Sequence, residues 1–328
     1  MHRDIQDTNG DKSSRIATVL LVSLCKSFQV LPIGGVALFL PVIRKDLGLS
    51  FTQGGTLSAA VVLFYALMQI PVGYLTDRFG SKRLYFIGIL GTTTLSFALG
   101  LVSQYWQALA IQTLSGFFRA LLFTPGLALL TGWFPPHRRA TATGLHSLGT
   151  LLGNVVLDIV GPLLVVGFGW RFPFIGFALV GIVVSFAFLR FGKEPLPTGK
   201  QRKKVTMREM LPLFRHRVMW VCGIIQYVRL AVARGIEFWL PSLLVDEKGL
   251  SLPLTGLIIA VRFGLIAPSN ILGGYVSDRL RNPTVVIGFS LIILAITTGL
   301  FVVVNNIIVH IFMMILGKPY IKEFPLRL

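Results

Sequence analysis

Gly73-Tyr74-Leu75-Thr76-Asp77-Arg78-Phe79 returns 201 residues later as Gly274-Tyr275-Val276-Ser277-Asp278-Arg279-Leu280. Both copies run Gly-Tyr-apolar-hydroxyl-Asp-Arg-apolar, and both close a long apolar stretch. Seven matching positions at a domain-scale spacing mark an internal repeat, and parallel repeats of this kind build one class of membrane transporter. A membrane-crossing helix needs about 20 mostly apolar residues. Working outward from the two copies, such runs fall at about 16–42, 51–75, 84–103, 107–132, 140–165, 171–190, 217–243, 253–276 and 284–304. A tenth begins near 305 and stops at Lys318-Pro319. The runs lack the period-2 alternation of barrel strands, so helices are expected.

Composition agrees. Of 328 residues, 54% are hydrophobic and only 13% charged, and the mean hydropathy of +0.75 excludes an ordinary water-soluble enzyme. The net charge of +18 would suggest nucleic acid in a soluble chain. Its placement suggests topology instead. With a cytoplasmic N-terminus, 19 Lys and Arg fall on inner segments and only Arg44, Lys45, Arg171 and Lys248 on outer loops. That asymmetry predicts an N-terminus inside, in a cell (inner or plasma) membrane, with no nucleic-acid partner. Cys25 and Cys222 both lie in apolar runs, so no disulfide or metal framework is expected. The polar opening MHRDIQDTNGDKSSR does not read as a secretory signal.

The full segment Gly73–Arg83, Gly-Tyr-Leu-Thr-Asp-Arg-Phe-Gly-Ser-Lys-Arg, resembles the loop signature of the major facilitator superfamily. Tyr65-Ala66-Leu67-Met68-Gln69-Ile70-Pro71, Trp133-Phe134-Pro135-Pro136 with Arg138-Arg139, and Phe238-Trp239-Leu240-Pro241 make it similar to the anion:cation symporter branch. The resemblance covers about 15–304. It implies twelve spans in two six-helix bundles around a central cavity, with alternating access. Two stretches depart from it. The second loop copy decays into Arg281-Asn282-Pro283, and Gly317–Leu328 does not continue an apolar helix. The expected fold is therefore all-α and polytopic: a six-helix bundle over 1–190, a polar cytoplasmic linker over 191–216, and an incomplete bundle over 217–328. That gives nine full spans and a partial tenth, a C-terminally truncated version of the family plan.

In the loops, Gly73 and Gly80 permit a tight turn and close helix approach. Asp77 is an acceptor placed to meet backbone donors at a helix end. Arg78, Lys82 and Arg83 are topology determinants that can also pair with carboxylates. The resemblance implies a gating role for these residues and for Gly274, Asp278 and Arg279, latching the bundles while the cavity faces outward. The partner it implies for Asp77 is on an eleventh span.

Five cations fall inside the spans: Lys26, Arg119, Arg229, Arg234 and Arg262; two acids, Asp158 and Glu237, join them. Each Lys or Arg at mid-span costs about 2.5–3.5 kcal/mol on insertion scales, so these side chains are expected to face a wet or protein-lined interior. By the resemblance, the first, fourth and seventh spans line the cavity, and they carry Lys26, Arg119, Arg229 and Arg234. A surplus of cations favours an anion, because guanidinium forks bind carboxylate or phosphate bidentately. Tyr65 and Gln69, four apart on one helix face, are further substrate-binding candidates. Each has a plainer reading: Arg234 and Glu237, three apart, can neutralise one another, and Tyr65 and Gln69 can be inter-helix glue. His146, Asp158 and Glu237 are candidates for coupling a proton or cation. Where symporter relatives often carry Gly-x-x-Glu in the fourth span, this chain has Gly116-Phe117-Phe118-Arg119, which leaves exchange and uniport open. The glycines of the fifth span (144, 149, 153 and 161) are read as close-packing positions.

No His-x-x-x-His, paired-acid or metal-ligand spacing occurs, so neither enzymatic chemistry nor a cofactor nor a metal is expected. The expectation is a monomeric secondary transporter of a small anion, an organic carboxylate or inorganic oxyanion, working in membrane lipid. The alternative is a non-transporting fragment of such a protein.

Overall fold

The computed structural model describes residues 9–134, 139–194 and 217–264, with isolated positions at 288, 292 and 296. The second loop copy with Gly274, Asp278 and Arg279 lies outside them, as do most of the ninth span, the tenth and the linker beyond 194. Among the described residues every regular element is helical. The chain divides into two units, 1–242 and 243–328.

The first unit opens with α1 (Asn9–Phe28), a π-helical turn at Leu31–Gly35, and α2 (Val36–Leu47). Together they form the first span, interrupted at Gln29-Val30. The break has a covalent cause: Pro32 has no N–H to donate. The Ile33 and Gly34 amides both turn to the Val30 carbonyl, at 3.2 and 2.7 Å, so the Gln29 carbonyl loses its helical donor. Gly48, at φ +63°, ends α2. Two residues later Ser50 and Gln53 exchange side-chain-to-backbone hydrogen bonds of 3.1 and 2.9 Å, a reciprocal cap that starts α3 (Phe51–Phe79).

α3 runs through the repeated segment before stopping at Gly80, whose φ of +84° suits only glycine. This corrects the expectation for Gly73. It is an internal helix residue with open space about it, and Gly80 alone makes the turn. A helix followed by one left-handed glycine needs no second flexible position.

The unit continues with α4 (Ser81–Leu99), α5 (Tyr105–Gly132), α6 (Arg139–Phe168), α7 (Arg171–Phe191) and α8 (Arg217–Ser242). α5 packs on α3 and α4, α4 on α7, α1 on α6 and α7, and α8 on α2. Small residues set the closest approaches. A Cβ on Gly149 or Gly153 of α6 would overlap the Ser23 or Ser27 carbonyl of α1, and Ser27 Oγ donates to the Gly149 carbonyl at 2.7 Å. Gly116 meets the backbone of α3 in the same way, and Gly88 that of α5. Gly144 has nothing within 4 Å among the described residues, so its expected packing role does not hold there.

Val22, Cys25, Tyr85, Ile89, Leu122, Leu129, Leu130, Ala142 and Phe188 form one buried core. Within it Tyr85 donates to the Val22 carbonyl at 2.8 Å. Large apolar side chains such as Ile16, Leu63, Phe123, Val166 and Val183 remain exposed. Helices apolar on both inner and outer faces belong in lipid. Among the described residues five helical stretches are long and apolar enough to cross a membrane: Ile16–Leu47, Phe51–Phe79, Tyr105–Gly132, Ala142–Phe168 and Arg171–Phe191.

The second unit contributes a π-helical turn at Leu243–Glu247 and α9 (Leu252–Gly264), with Leu252, Ile259, Ala260 and Phe263 buried.

Candidate functional site

The broken first span and α5 run antiparallel, and their register brings candidate residues together in three rungs. Gln112 Nε2 donates to the Pro32 carbonyl at 2.7 Å. Arg119 Nη1 donates to the Gln29 carbonyl at 3.0 Å, the group that the helix break left without a donor. Lys26 Nζ lies 5.1 Å from the centre of the Phe123 ring. Gln112 and Arg119 are seven apart, two turns on one face of α5, which is why one helix braces two carbonyls of the break.

Lys26 is only 4% exposed, and its ammonium has no hydrogen-bond partner among the described residues. Arg119 lies close enough to act on it electrostatically. The guanidinium sits 5.8 Å from the centre of the Tyr65 ring, and its Nε is also unpartnered. Thus two cations meet with aromatic faces rather than a carboxylate. A cation over a ring recovers about 0.5–2 kcal/mol, well short of the several kcal/mol that burial of an ion costs.

His146 of α6 is 3% exposed, its ring lies tilted with its centre 5.9 Å from that of Phe123, and both its ring nitrogens are unpartnered among the described residues. It lies within electrostatic range of Lys26. Gln69, one turn along α3 from Tyr65, lies within hydrogen-bonding reach of the Tyr65 hydroxyl. Lys26, Tyr65, Gln69, Arg119 and His146 are therefore grouped by α1, α3, α5 and α6, with Phe123 as a member that apolar patterning concealed.

The remaining candidates divide. Arg234 pairs with Glu237 at 2.9 Å and is 64% exposed, so the neutralising reading describes its contact, although Arg119 and Tyr65 still feel its charge. Arg229 lies on α8, with its side chain outside the described positions. Asp158 is buried on α6, twelve residues and about 18 Å beyond His146. Arg262 is half-buried on α9, in the second unit.

At the other end of the bundle, the donor-binding role expected of Asp77 belongs to Glu194. Asp77 sits exposed in the last turn of α3, near the carbonyl-rich end of that helix. Glu194 Oε1, arriving just after α7, accepts the Ser81 and Lys82 amides at 2.9 and 3.4 Å, capping α4 beside Gly80. A carboxylate at a helix N-terminus meets both free N–H groups and the positive end of the dipole. No spacing rule in the sequence links residues 113 apart. Arg78, Lys82 and Arg83 surround this turn, with Arg78 5.4 Å from the Phe79 ring centre. Where the first span ends, Asp46 accepts from Arg171 at 2.7 Å and from the Trp170 indole at 3.1 Å.

The family model for the Major Facilitator Superfamily matches residues 22–320, and the chain belongs to that family. It is 26% identical over 278 residues to the hexuronate transporter of Bacillus subtilis, covering 82% of this chain and 66% of the relative. It is 29% identical over 256 residues to the probable nitrate/nitrite antiporter of Thermus thermophilus, covering 72% and 55%. The chain thus spans between about half and two-thirds of the length of these relatives. Among solved structures, a bacterial homologue of the human lysosomal transporter Spinster aligns with a TM-score of 0.78 at 21% identity, over 93% of this chain and 72% of that one. The chain is an integral, polytopic helical membrane protein with this transporter fold.

Proposed function

We propose that this Major Facilitator Superfamily member is a secondary transporter that carries a small anion by alternating access between its two halves, 1–190 and 217–328, joined by 191–216. The observation that carries the reading is that Lys26, buried, and Arg119, half-buried, lie within electrostatic range of one another with no carboxylate against either among the described residues. Two cations within electrostatic range repel, and an anion between them turns that repulsion into two attractions. Occupancy thereby lowers the barrier to closing the halves about the site. Tyr65 and Gln69 add neutral donors. Arg229, Arg234 and Arg262 are the contributions proposed from the second half. Relatives named as hexuronate and nitrate/nitrite transporters support an anionic cargo.

His146, beside Lys26, is the best-placed residue for a coupling proton, ahead of Asp158 and Glu237. The turn at Gly80, with Asp77, Arg78, Lys82 and Arg83, acts as the gate element of the first half, and Gly274, Asp278 and Arg279 as its counterpart. The protein works as a monomer in the cell membrane with its N-terminus in the cytoplasm.

Counterflow in proteoliposomes of the 328-residue chain tests the reading, with labelled D-glucuronate, D-gluconate and nitrate as probes. At least one anion should exchange, and Lys26→Gln and Arg119→Gln should each reduce the rate at least about tenfold while the protein stays folded. Flux untouched by both substitutions overturns the site. Absence of flux for every anion favours a folded, non-transporting scaffold.

A further inference from the structure

At the break of the first span one backbone amide has two carbonyls within reach. The Val30 carbonyl accepts two amides, Ile33 at 3.2 Å and Gly34 at 2.7 Å. The Gln29 carbonyl accepts no amide among the described residues and takes Arg119 Nη1 at 3.0 Å instead. In an unbroken α-helix the Ile33 amide belongs to Gln29, four residues back. Arg119 therefore occupies the carbonyl that Ile33 would otherwise bond, while Gly34 satisfies Val30 in either arrangement. Moving one amide between adjacent carbonyls converts the Gln29–Ile33 turn to α-helical bonding.

Arg119 is incompletely used in this contact. The neutral carbonyl engages one of its five N–H groups, and its buried Nε has no partner among the described residues. A carboxylate or oxyanion takes two N–H groups in parallel, through charge-assisted bonds about twice as strong as neutral ones. An anion at Arg119 thus outcompetes the carbonyl. Gln112 is uncharged and holds the Pro32 carbonyl at 2.7 Å, so an anion gains little by displacing it and it remains as a pivot. The two sides of the break have different anchors. α1 packs on α6 and α7, whereas α2 packs on α8, whose Trp239 lies 5.9 Å between ring centres from Phe51 at the start of α3. Kinks at prolines and π-turns set the angle between the helix halves they join. Re-bonding this turn re-aims α2, with α8 packed on it, relative to α1.

We propose that the Arg119–Gln29 contact is a ligand-operated switch: the Gln29 carbonyl and an incoming anion compete for the guanidinium, and an anion that takes it returns the Ile33 amide to Gln29 and swings α2 together with α8. The proposal rests on the anion reading above and adds how occupancy becomes movement of the chain.

Pro32→Ala tests it on the full chain in lipid nanodiscs. The substitution supplies the missing N–H and favours continuous helix through the break, so Ile33 bonds Gln29 without a ligand and Arg119 is released beforehand. In equilibrium dialysis with D-glucuronate, D-gluconate and nitrate as probes, a probe that binds the parent should bind Pro32→Ala at least about threefold more tightly, because the binding-competent fraction rises. Spin labels at the exposed positions Leu20 of α1 and Lys45 of α2, in a Cys25→Ala, Cys222→Ser background, read the distance across the break. A saturating probe should shift the parent's distance distribution, and Pro32→Ala should show the shifted distance with no probe added. Equal or weaker binding by Pro32→Ala overturns the switch. So does a parent distance unmoved by a bound probe, a measurement that needs no substitution at the break. Either result leaves the anion reading standing, whereas a parent that binds none of the three probes overturns both.

Discussion

Gly149→Ala and Gly144→Ala place the same methyl group on the same helix, and the structure assigns them opposite signs. At Gly149 the new Cβ overlaps the Ser23 carbonyl and comes within 3.0 Å of Lys26 Cβ, and the first of these is backbone that no rotamer change can move aside. α1 and α6 must separate. Overpacking of this kind costs about 1–3 kcal/mol. Separation also stretches the 2.7 Å hydrogen bond from Ser27 Oγ to the Gly149 carbonyl, worth about 0.5–1.5 kcal/mol. Against this stands a helix-propensity gain of up to about 1 kcal/mol for Ala over Gly, leaving a net loss of about 1–3 kcal/mol. Gly144 has nothing within 4 Å among the described residues, so only the gain operates there. The two variants should differ by about 2–4 kcal/mol, or about 5–15 °C in unfolding midpoint at about 2–4 °C per kcal/mol for a domain of this size. Cys25, buried in the core between α1 and its neighbours, supplies the readout: a thiol-reactive fluorophore reports its exposure during heating, in a Cys222→Ser background. A Gly149→Ala protein that melts at or above the parent, or a Gly144→Ala protein that falls as far, refutes the close α1–α6 approach.

Two further perturbations address single hydrogen bonds. Tyr85→Phe removes the 2.8 Å bond to the Val22 carbonyl inside the core and should lower stability by about 1–2 kcal/mol in the same thermal assay; an unchanged midpoint means the bond is absent. Glu194→Ala uncaps α4, and because Glu194 is exposed the expected loss is only about 0.5–1 kcal/mol. Its clearer mark is a severalfold faster hydrogen exchange at the Ser81 and Lys82 amides, which unchanged exchange would contradict.

Much of this protein was readable from residue order alone. Apolar runs of span length report the solvent they must face, and lipid admits helices because it offers no partner to an open backbone. The Gly73–Arg83 segment carried the family, since a repeat at equivalent loops is written in the chain itself. The cations at Lys26 and Arg119 stood out because charge inside a span needs a reason. Elsewhere local reasoning misassigned roles. Gly73 looks like Gly80 in the sequence but lies within a helix, and Asp77 looks like a cap whereas Glu194, 113 residues after Ser81, holds the amides. Gln29 and Gln112 carry no local signal, as a glutamine within an apolar run has no periodic signature.

Sequence by itself determined the class, the helices, the family and the surplus of intramembrane cations, because each is a property of composition or of short-range order. Tertiary structure alone decided which cations come within range of one another, that Phe123 faces Lys26, and that α5 braces the broken first span. Such pairings depend on the register between helices far apart in the chain. That register is chosen by the joint packing of small residues and freed carbonyls on several helices at once, which no single stretch of sequence encodes.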